Sequence, residues 1–380
     1  MTKRTRGQGE GNIYERQDGR WAGRVSAGYS GGKRIRVWVY GATRAEVVQK
    51  ITETLRRQHQ GFRVHVEKQT VAQFLSGWLE DSVKASVRPK TFRSYEQLVR
   101  IHLAPGLGRH ALSRLTPAHV QAFLNEKLAR GSSPRTVQYL RAVLRQALGQ
   151  ALKWELVVRN VATLVDPPRV PRYEIQPLTA SQARKFLDFI EPHRLRALFA
   201  VAFAVGLRQG ETLGLRWTAV DLERGVLHVR HSLQFLDKRF QLVEVKTDCS
   251  RRTIHLPAIA VEALRAHRTR QLEERLAAGG EWEDWGLVFT TRVGRPLDSC
   301  RITRDFKRLL KQAGLPTQRF HDCRHACASF LLAQGIPARV VVDILGHSQI
   351  SLTMNTYSHV MPALRSEAAE KMDAVFRGSA

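Results

Sequence analysis

Residues 166–176, DPPRVPRYEIQ, place the first limit on how this chain can fold. Proline fixes φ and lacks a backbone donor, so neither a helix interior nor a central strand can pass through this stretch. Apolar-patterned sequence lies on both sides of it. The chain must therefore build separate cores joined by a linker, and 380 residues with 43% hydrophobic content supply enough material for two or three.

Before the linker, two patterns follow one another. Residues 13–14, 21–29 and 35–40 read as short strands, with turns at Asp18-Gly19 and Ser30-Gly31-Gly32. ATRAEVVQKITETLRRQHQ reads as a helix with Thr43 as N-cap and Glu46 in the capping-box position. Its Ala45, Val48, Ile51 and Leu55 are expected to face the sheet. From about residue 70 the period becomes helical. Val71, Phe74, Leu75, Trp78 and Leu79 make one apolar face, and Thr91, Tyr95, Leu98 and Ile101 make another just after Pro89. Thr116-Pro117 and Ser133-Pro134 each open a further helix with proline at the first position. Tyr95 and Tyr139 read as packed aromatics, and Arg135, Arg141 and Arg145 as an outer face.

After the linker, helical stretches stop at Gly206, Gly314, Gly335 and Gly346. GVLHVRHSL, FQLVEV and RRTIHLP read as strands, the last two as a hairpin, and residues 287–289 as one more strand. The expected fold class is multidomain. A small three-stranded sheet plus helix spans 1–62, an all-α helical bundle spans 68–166, and a mixed, mainly-α domain with a small antiparallel sheet spans 177–380.

The 61 Lys and Arg outweigh 34 Asp and Glu and leave a net charge of +27, which points to a polyanionic partner, nucleic acid before anionic membrane. No run of 18 apolar residues and no secretory start occurs, so a cytoplasmic location is expected. Arg20, Arg24, Lys33, Arg34 and Arg36 suit a sheet face entering a major groove; the alternative is a basic edge that discourages strand pairing. Lys90, Arg93, Ser132 and Arg135 sit near helix starts, where phosphates bind, although each alone is an ordinary surface residue. Cys323 and Cys327 lie beside His321 and His325. A metal site there is disfavoured, because there is a single close Cys pair and Arg324 would put a cation inside the cluster.

The densest chemistry lies in residues 317–360, which hold His321, Arg324, His347 and Tyr357. Two guanidiniums, Arg208 and Arg324, can grip the non-bridging oxygens of one phosphate and stabilise a five-coordinate transition state. Glu211 can buttress Arg208, Asp322 can cap the following helix, and His325 reads as packing or support. A histidine beside a phosphate is expected to be partly protonated. Lys246, expected on a turn, can reach a leaving oxygen. A phenol in such surroundings suits nucleophilic attack on a phosphodiester. No GxxxxGK[ST] loop and no obvious two-metal carboxylate cluster occurs, so an ATP-independent, metal-free route is preferred.

These motifs resemble the tyrosine recombinase, or phage integrase, family. GLRQGETLGLRW carries Arg208, RRTIHLP follows Lys246, HDCRH carries His321 and Arg324, LGHS carries His347, and YSHV carries Tyr357. Cys323 and Cys327 stand where the family usually has leucine and threonine, both small changes of apolar character. The resemblance is close over the last domain, extends to the helical bundle as a core-binding domain, and is less specific for residues 1–60 as an arm-site binding domain. It implies a site-specific recombinase with Tyr357 as nucleophile and Lys246 as general acid. Arg208, Arg324, His321 and His347 would hold the scissile phosphate. The reaction would run through a 3′-phosphotyrosyl link and a four-way junction, in a tetramer on DNA, with no cofactor. Further implied partners are core and arm attachment sites, a host DNA-bending protein and an excisionase, in the nucleoid of a bacterial host. A type IB topoisomerase-like enzyme and a DNA-binding regulator without strand exchange are the alternatives.

Overall fold

The computed structural model describes residues 12–30, 33–59, 69–171, 176–245, 250–346, 372–373 and 376. Contacts group them into two units, Met1–Arg172 and Tyr173–Ala380.

The first unit opens with an antiparallel meander, β1 (Asn12–Glu15), β2 (Trp21–Ser30) and β3 (Lys33–Gly41), followed by α1 (Arg44–His59). The helix start is held as the sequence suggests: Glu46 N–H donates to Thr43 Oγ1 at 3.2 Å, and Ala42 N–H donates to Glu46 Oε2 at 2.8 Å. Val25, Val39, Val47 and Ile51 form the core between sheet and helix. Gly23 is needed there, since a Cβ would lie 2.6 Å from Ile51 Cδ1. The helix is rotated from the expected face, with Val47 buried while Val48 is 39% exposed. Alternation along β3 sends Val39 inward and leaves Trp38 and Tyr40 outside.

The same unit contains an all-helical bundle. α2 runs through Val71–Trp78, a π turn at Leu79–Val83 and Lys84–Ser86. α3 runs through Pro89–Leu98, a π turn at Val99–Leu103 and Ala104–Leu107, and Pro89 is its first residue. α4 is Pro117–Ala129 and α5 is Pro134–Lys153. The π turn in α3 shifts the buried stripe onto Val99, Leu103 and Leu107, which leaves Ile101 44% exposed instead of packed. Tyr95 stacks on Trp78 and donates its hydroxyl to Gln146. Tyr139 departs from expectation. It is half exposed, under the Arg135 guanidinium one turn earlier on the outer face of α5. Arg141 is not on that face, because its Nε donates to Val165 O at 2.7 Å.

In the second unit, α6 (Ala180–Phe189) and the almost wholly buried α7 (Arg196–Val205) carry the core. Phe186, Phe199 and Phe203 meet Phe306 and Phe320 in one aromatic cluster. A short α8 (Gln209–Leu213) follows. Among the described residues, five strands form two small antiparallel sheets: β4 (Val220–Asp221), β5 (Val226–Val229) and β8 (Arg252–His255) in one, β6 (His231–Leu236) and β7 (Arg239–Glu244) in the other. Further helices are α9 (Ala258–Ala278), α10 (Ser299–Gln312), α11 (Asp322–Ala333) and α12 (Ala338–Leu345).

Two strand expectations fail. FQLVEV does not pair with RRTIHLP, since β7 pairs with β6 and β8 with β5. Asp237 and Lys238, both at positive φ, form the tight turn that makes β6 the nearer partner. Residues 287–289 are buried but form one isolated bridge only, Leu287 to Arg216. Side chains of α9 occupy acceptors that a strand would need. His267 Nε2 lies 2.7 Å from Val288 O, and the Gln271 amide donates to Leu287 O and Val288 O. Among the described residues no helix is long and apolar enough to cross a membrane. The helix expected from Ser351 onward and most of that expected near the C-terminus lie outside the described residues.

Candidate active site

The site is organised around the last carbonyls of α12. A helix leaves its final C=O groups without intrahelical partners. Here three arginine side chains take three consecutive ones. Arg252 Nε donates to Ile344 O at 2.6 Å, Arg324 Nη2 to Leu345 O at 2.5 Å, and Arg208 Nη2 to Gly346 O at 2.6 Å. The negative end of the helix dipole adds to each bond. Gly346 ends the helix in the left-handed conformation at φ 67°, immediately before His347.

Each arginine reaches that point by a different local device. Arg208 follows Gly206, which ends α7 at φ 66° and whose added Cβ would lie 2.6 Å from Leu345. Only glycine combines that backbone with so close an approach. Arg208 then starts α8, where Glu211 accepts from its backbone N–H at 3.1 Å and from its Nη1 at 2.6 Å. Arg324 lies in the first turn of α11, is 1% exposed, and also donates to Gly206 O at 2.8 Å. Arg252 begins β8 and reaches Glu211 Oε2 at 3.0 Å. Burial would raise the Glu211 carboxyl, but the Arg252 and Arg208 guanidiniums outweigh it and hold the group below the ordinary carboxylate range.

His321 sits just ahead of α11 at its N-cap position, so Asp322 is the first helical residue and not the cap. The buried Asp322 carboxylate instead accepts from the backbone and guanidinium of Arg319, bracing the entry to the helix. The His321 and His325 rings meet edge to face at 5.1 Å. Desolvation against the start of α11, then the Arg324 charge, lower the pKa of His321, although the residue stays surface-exposed. Burial and the neighbouring His321 push His325 down to about 4. Cys323 and Cys327 are buried, and burial raises both thiols, Cys327 to about 12. Among the described residues no group of three His, Cys, Asp or Glu could hold a metal ion.

A pH dependence follows. A histidine with a folded pKa below its ordinary 6.5 resists protonation in the native state, so the unfolded chain binds more protons as pH falls. Stability is fully present above about pH 6.5 and declines toward pH 4; for His325 the loss is roughly 2 kcal/mol after allowing for solvent screening. Thermal melts between pH 8 and 5 should show this decline, and His325→Gln should flatten it. A slope unchanged by that substitution would remove His325 as its source.

Of the sequence-derived residues, the structure joins Arg208, Glu211 and Arg324 at one helix end, and places His321, Asp322 and His325 around the start of α11. Lys246, His347 and Tyr357 lie outside the described residues. In the first unit, Arg24 lies over the Trp38 ring at 5.5 Å, Arg20 and Arg36 are exposed, and Lys33 and Arg34 are in β3. Lys90 and Arg93 are exposed in the first turns of α3, and Ser132 and Arg135 flank the start of α5. Sequence reasoning missed Arg252 and Arg319. Arg252 stood in the RRTI segment already singled out, yet nothing in that pattern distinguishes it from the exposed Arg251.

Comparison with known proteins places these observations beside relatives. Residues 176–363 match the phage integrase family, and residues 70–128 match the N-terminal SAM-like domain of phage integrases. A tyrosine recombinase XerC-like protein of Caldanaerobacter subterraneus subsp. tengcongensis is 32% identical over 364 residues, which cover 91% of this chain and 93% of that one. A Tn1549 transposon integrase solved in complex with a circular intermediate DNA shares the fold with a TM-score of 0.69 at 22% identity, over 80% of this chain and 99% of that one. A lambda integrase tetramer bound to a Holliday junction shares it with a TM-score of 0.58 at 19% identity, over 93% and 96%.

Proposed function

Since this chain belongs to the phage integrase family of tyrosine recombinases, we propose that it cuts and rejoins two duplexes at specific sites to integrate or excise a mobile element. Tyr357 is the nucleophile. Its phenolic oxygen attacks the scissile phosphorus, a 3′-phosphotyrosyl bond forms, and the bond to the 5′ oxygen breaks. Lys246 gives a proton to that leaving oxygen, and a ring nitrogen of His321 takes the proton that the phenol releases. Arg208, Arg324 and His347 hold the non-bridging oxygens and stabilise the five-coordinate state. Because the phosphotyrosyl link conserves bond energy, rejoining uses neither ATP nor a metal. The freed 5′ ends exchange, and four protomers resolve the resulting four-way junction.

The observation that supports this reading best is the convergence of Arg208 and Arg324, 116 residues apart, on adjacent carbonyls at Leu345 and Gly346, directly before His347. Residues 177–380 act as the catalytic domain, 68–166 grip the core site, and 1–62 read arm sites through the basic sheet. A host DNA-bending protein and an excisionase set the direction, in the bacterial cytoplasm and nucleoid.

The test is covalent capture on a nicked suicide duplex in chelator and without nucleotide. The duplex carries the sequence that the full-length protein selects from a random pool. A DNA-linked band resistant to denaturant, with the DNA mapped to a tyrosine-containing peptide, is the expected result. Specific binding with no such band would leave a DNA-binding regulator in place of a recombinase.

A further inference from the structure

Arg252 has no part in the chemistry described above, yet it is among the best-connected side chains in the unit. Its side chain is 7% exposed. Three of its nitrogens donate to three separate places: Nη2 to Glu211 Oε2 at 3.0 Å, Nε to Ile344 O at 2.6 Å, and Nη1 to Ser250 O at 3.1 Å. Each place adjoins a residue of the proposed mechanism. Glu211 holds Arg208 at both backbone and guanidinium, Ile344 lies three residues before His347, and Ser250 lies four after Lys246.

We infer that Arg252 is a positioning residue for strand cleavage, fixing Glu211, the end of α12 and Ser250 relative to one another. This rests on the recombinase reading given above. A guanidinium is flat and its donors diverge at set angles, so bonding three acceptors at once sets the distances among them; an ammonium on a flexible stem cannot span all three. Glu211 Oε2 is shared between the Arg208 backbone and Arg252, while Oε1 takes the Arg208 side chain. Removing Arg252 leaves a buried carboxylate compensated by Arg208 alone. Arg208 is then held harder by Glu211 and is less available to a phosphate. Nε, Nη1 and Nη2 of Arg252 all donate to protein acceptors, so it acts through these neighbours and not by contact with DNA.

The distinction from a merely structural arginine is a split between binding and chemistry. With the full-length protein and the suicide duplex described above, Arg252→Met should slow single-turnover covalent capture about 100-fold while the Kd for the duplex changes by less than about threefold. Arg252→Lys, which keeps the charge and one bond, should recover about tenfold of that rate, and it carries the test alone if the methionine variant does not fold. The Glu211→Gln and Arg252→Met changes combined should be no slower than the slower single variant, because both act through one network. The inference fails if either Arg252 variant captures DNA at the parental rate, if rate and affinity fall together, or if the two changes add. Parent protein that captures no DNA would overturn both the recombinase reading and this role. Parent protein slowed by Arg208→Lys but indifferent to both Arg252 changes would overturn this role alone.

Discussion

Tyr357→Phe is expected to abolish covalent capture of DNA, a loss of at least about 10⁴-fold in rate, while leaving duplex affinity and thermal midpoint within error of the parent. The change removes one oxygen, the atom that would bond phosphorus. Phenylalanine keeps the ring and its apolar surface, so neither packing nor the positive charge around the phosphate is altered. The phenol begins as a poor nucleophile because its ordinary pKa is near 10. In the proposed mechanism its reactivity would come from Arg208, Lys246, Arg324 and His347, which the variant retains. Tight binding without capture is therefore the signature, read on one denaturing gel beside one binding curve. Persistent capture by Tyr357→Phe would move the nucleophile elsewhere. Equal loss of capture and affinity would make Tyr357 a DNA contact instead.

Arg324→Ala should fail in both respects. The side chain is 1% exposed and bonds Gly206 O and Leu345 O, so truncation leaves two carbonyls unpaired and a void beneath α12. Charge-assisted bonds of this kind, lost from one side only, cost roughly 3–5 kcal/mol together. For a unit of this size that corresponds to a fall of about 10 °C in thermal midpoint. Capture should fall by about 10³-fold in samples held well below the new midpoint, since one of two phosphate-holding guanidiniums is gone. Arg324→Lys keeps the charge but not the two-pronged reach from Gly206 to Leu345, and should recover stability only in part. A shift below about 2 °C for the alanine variant would show that the carbonyls find other partners, and the picture of α12 as an arginine-capped helix end would be wrong.

The helices were the most readable part of the chain, because their signals are local. Thr-Pro and Ser-Pro pairs opened α4 and α5 where the sequence placed them, and Gly206, Gly314, Gly335 and Gly346 all take positive φ at helix ends. Most of the misreadings share a cause: partners distant in sequence. Ile101 was displaced by a π turn, Val48 lost its place to Val47 under the sheet, and residues 287–289 gave their backbone acceptors to α9. Strand pairing at FQLVEV failed for a local reason instead, since the two-residue turn at Asp237 and Lys238 pairs β7 with β6.

The candidate site divides along the same line. Residue types and motif spacing picked out Arg208, Glu211, His321 and Arg324 as candidates, because holding a phosphate would demand a narrow set of side chains. The sequence by itself also determined the order of the segments, the large positive charge, and where helices stop at glycine. Tertiary structure decided what each of those side chains bonds to. It placed three arginines, numbered 208, 252 and 324, on successive carbonyls of one helix end, raised Arg252 to their company, and turned Asp322 from a cap into a partner of Arg319. A helix terminus exposes unpaired carbonyls wherever it ends, but which cations reach them depends on packing between segments that no local pattern connects.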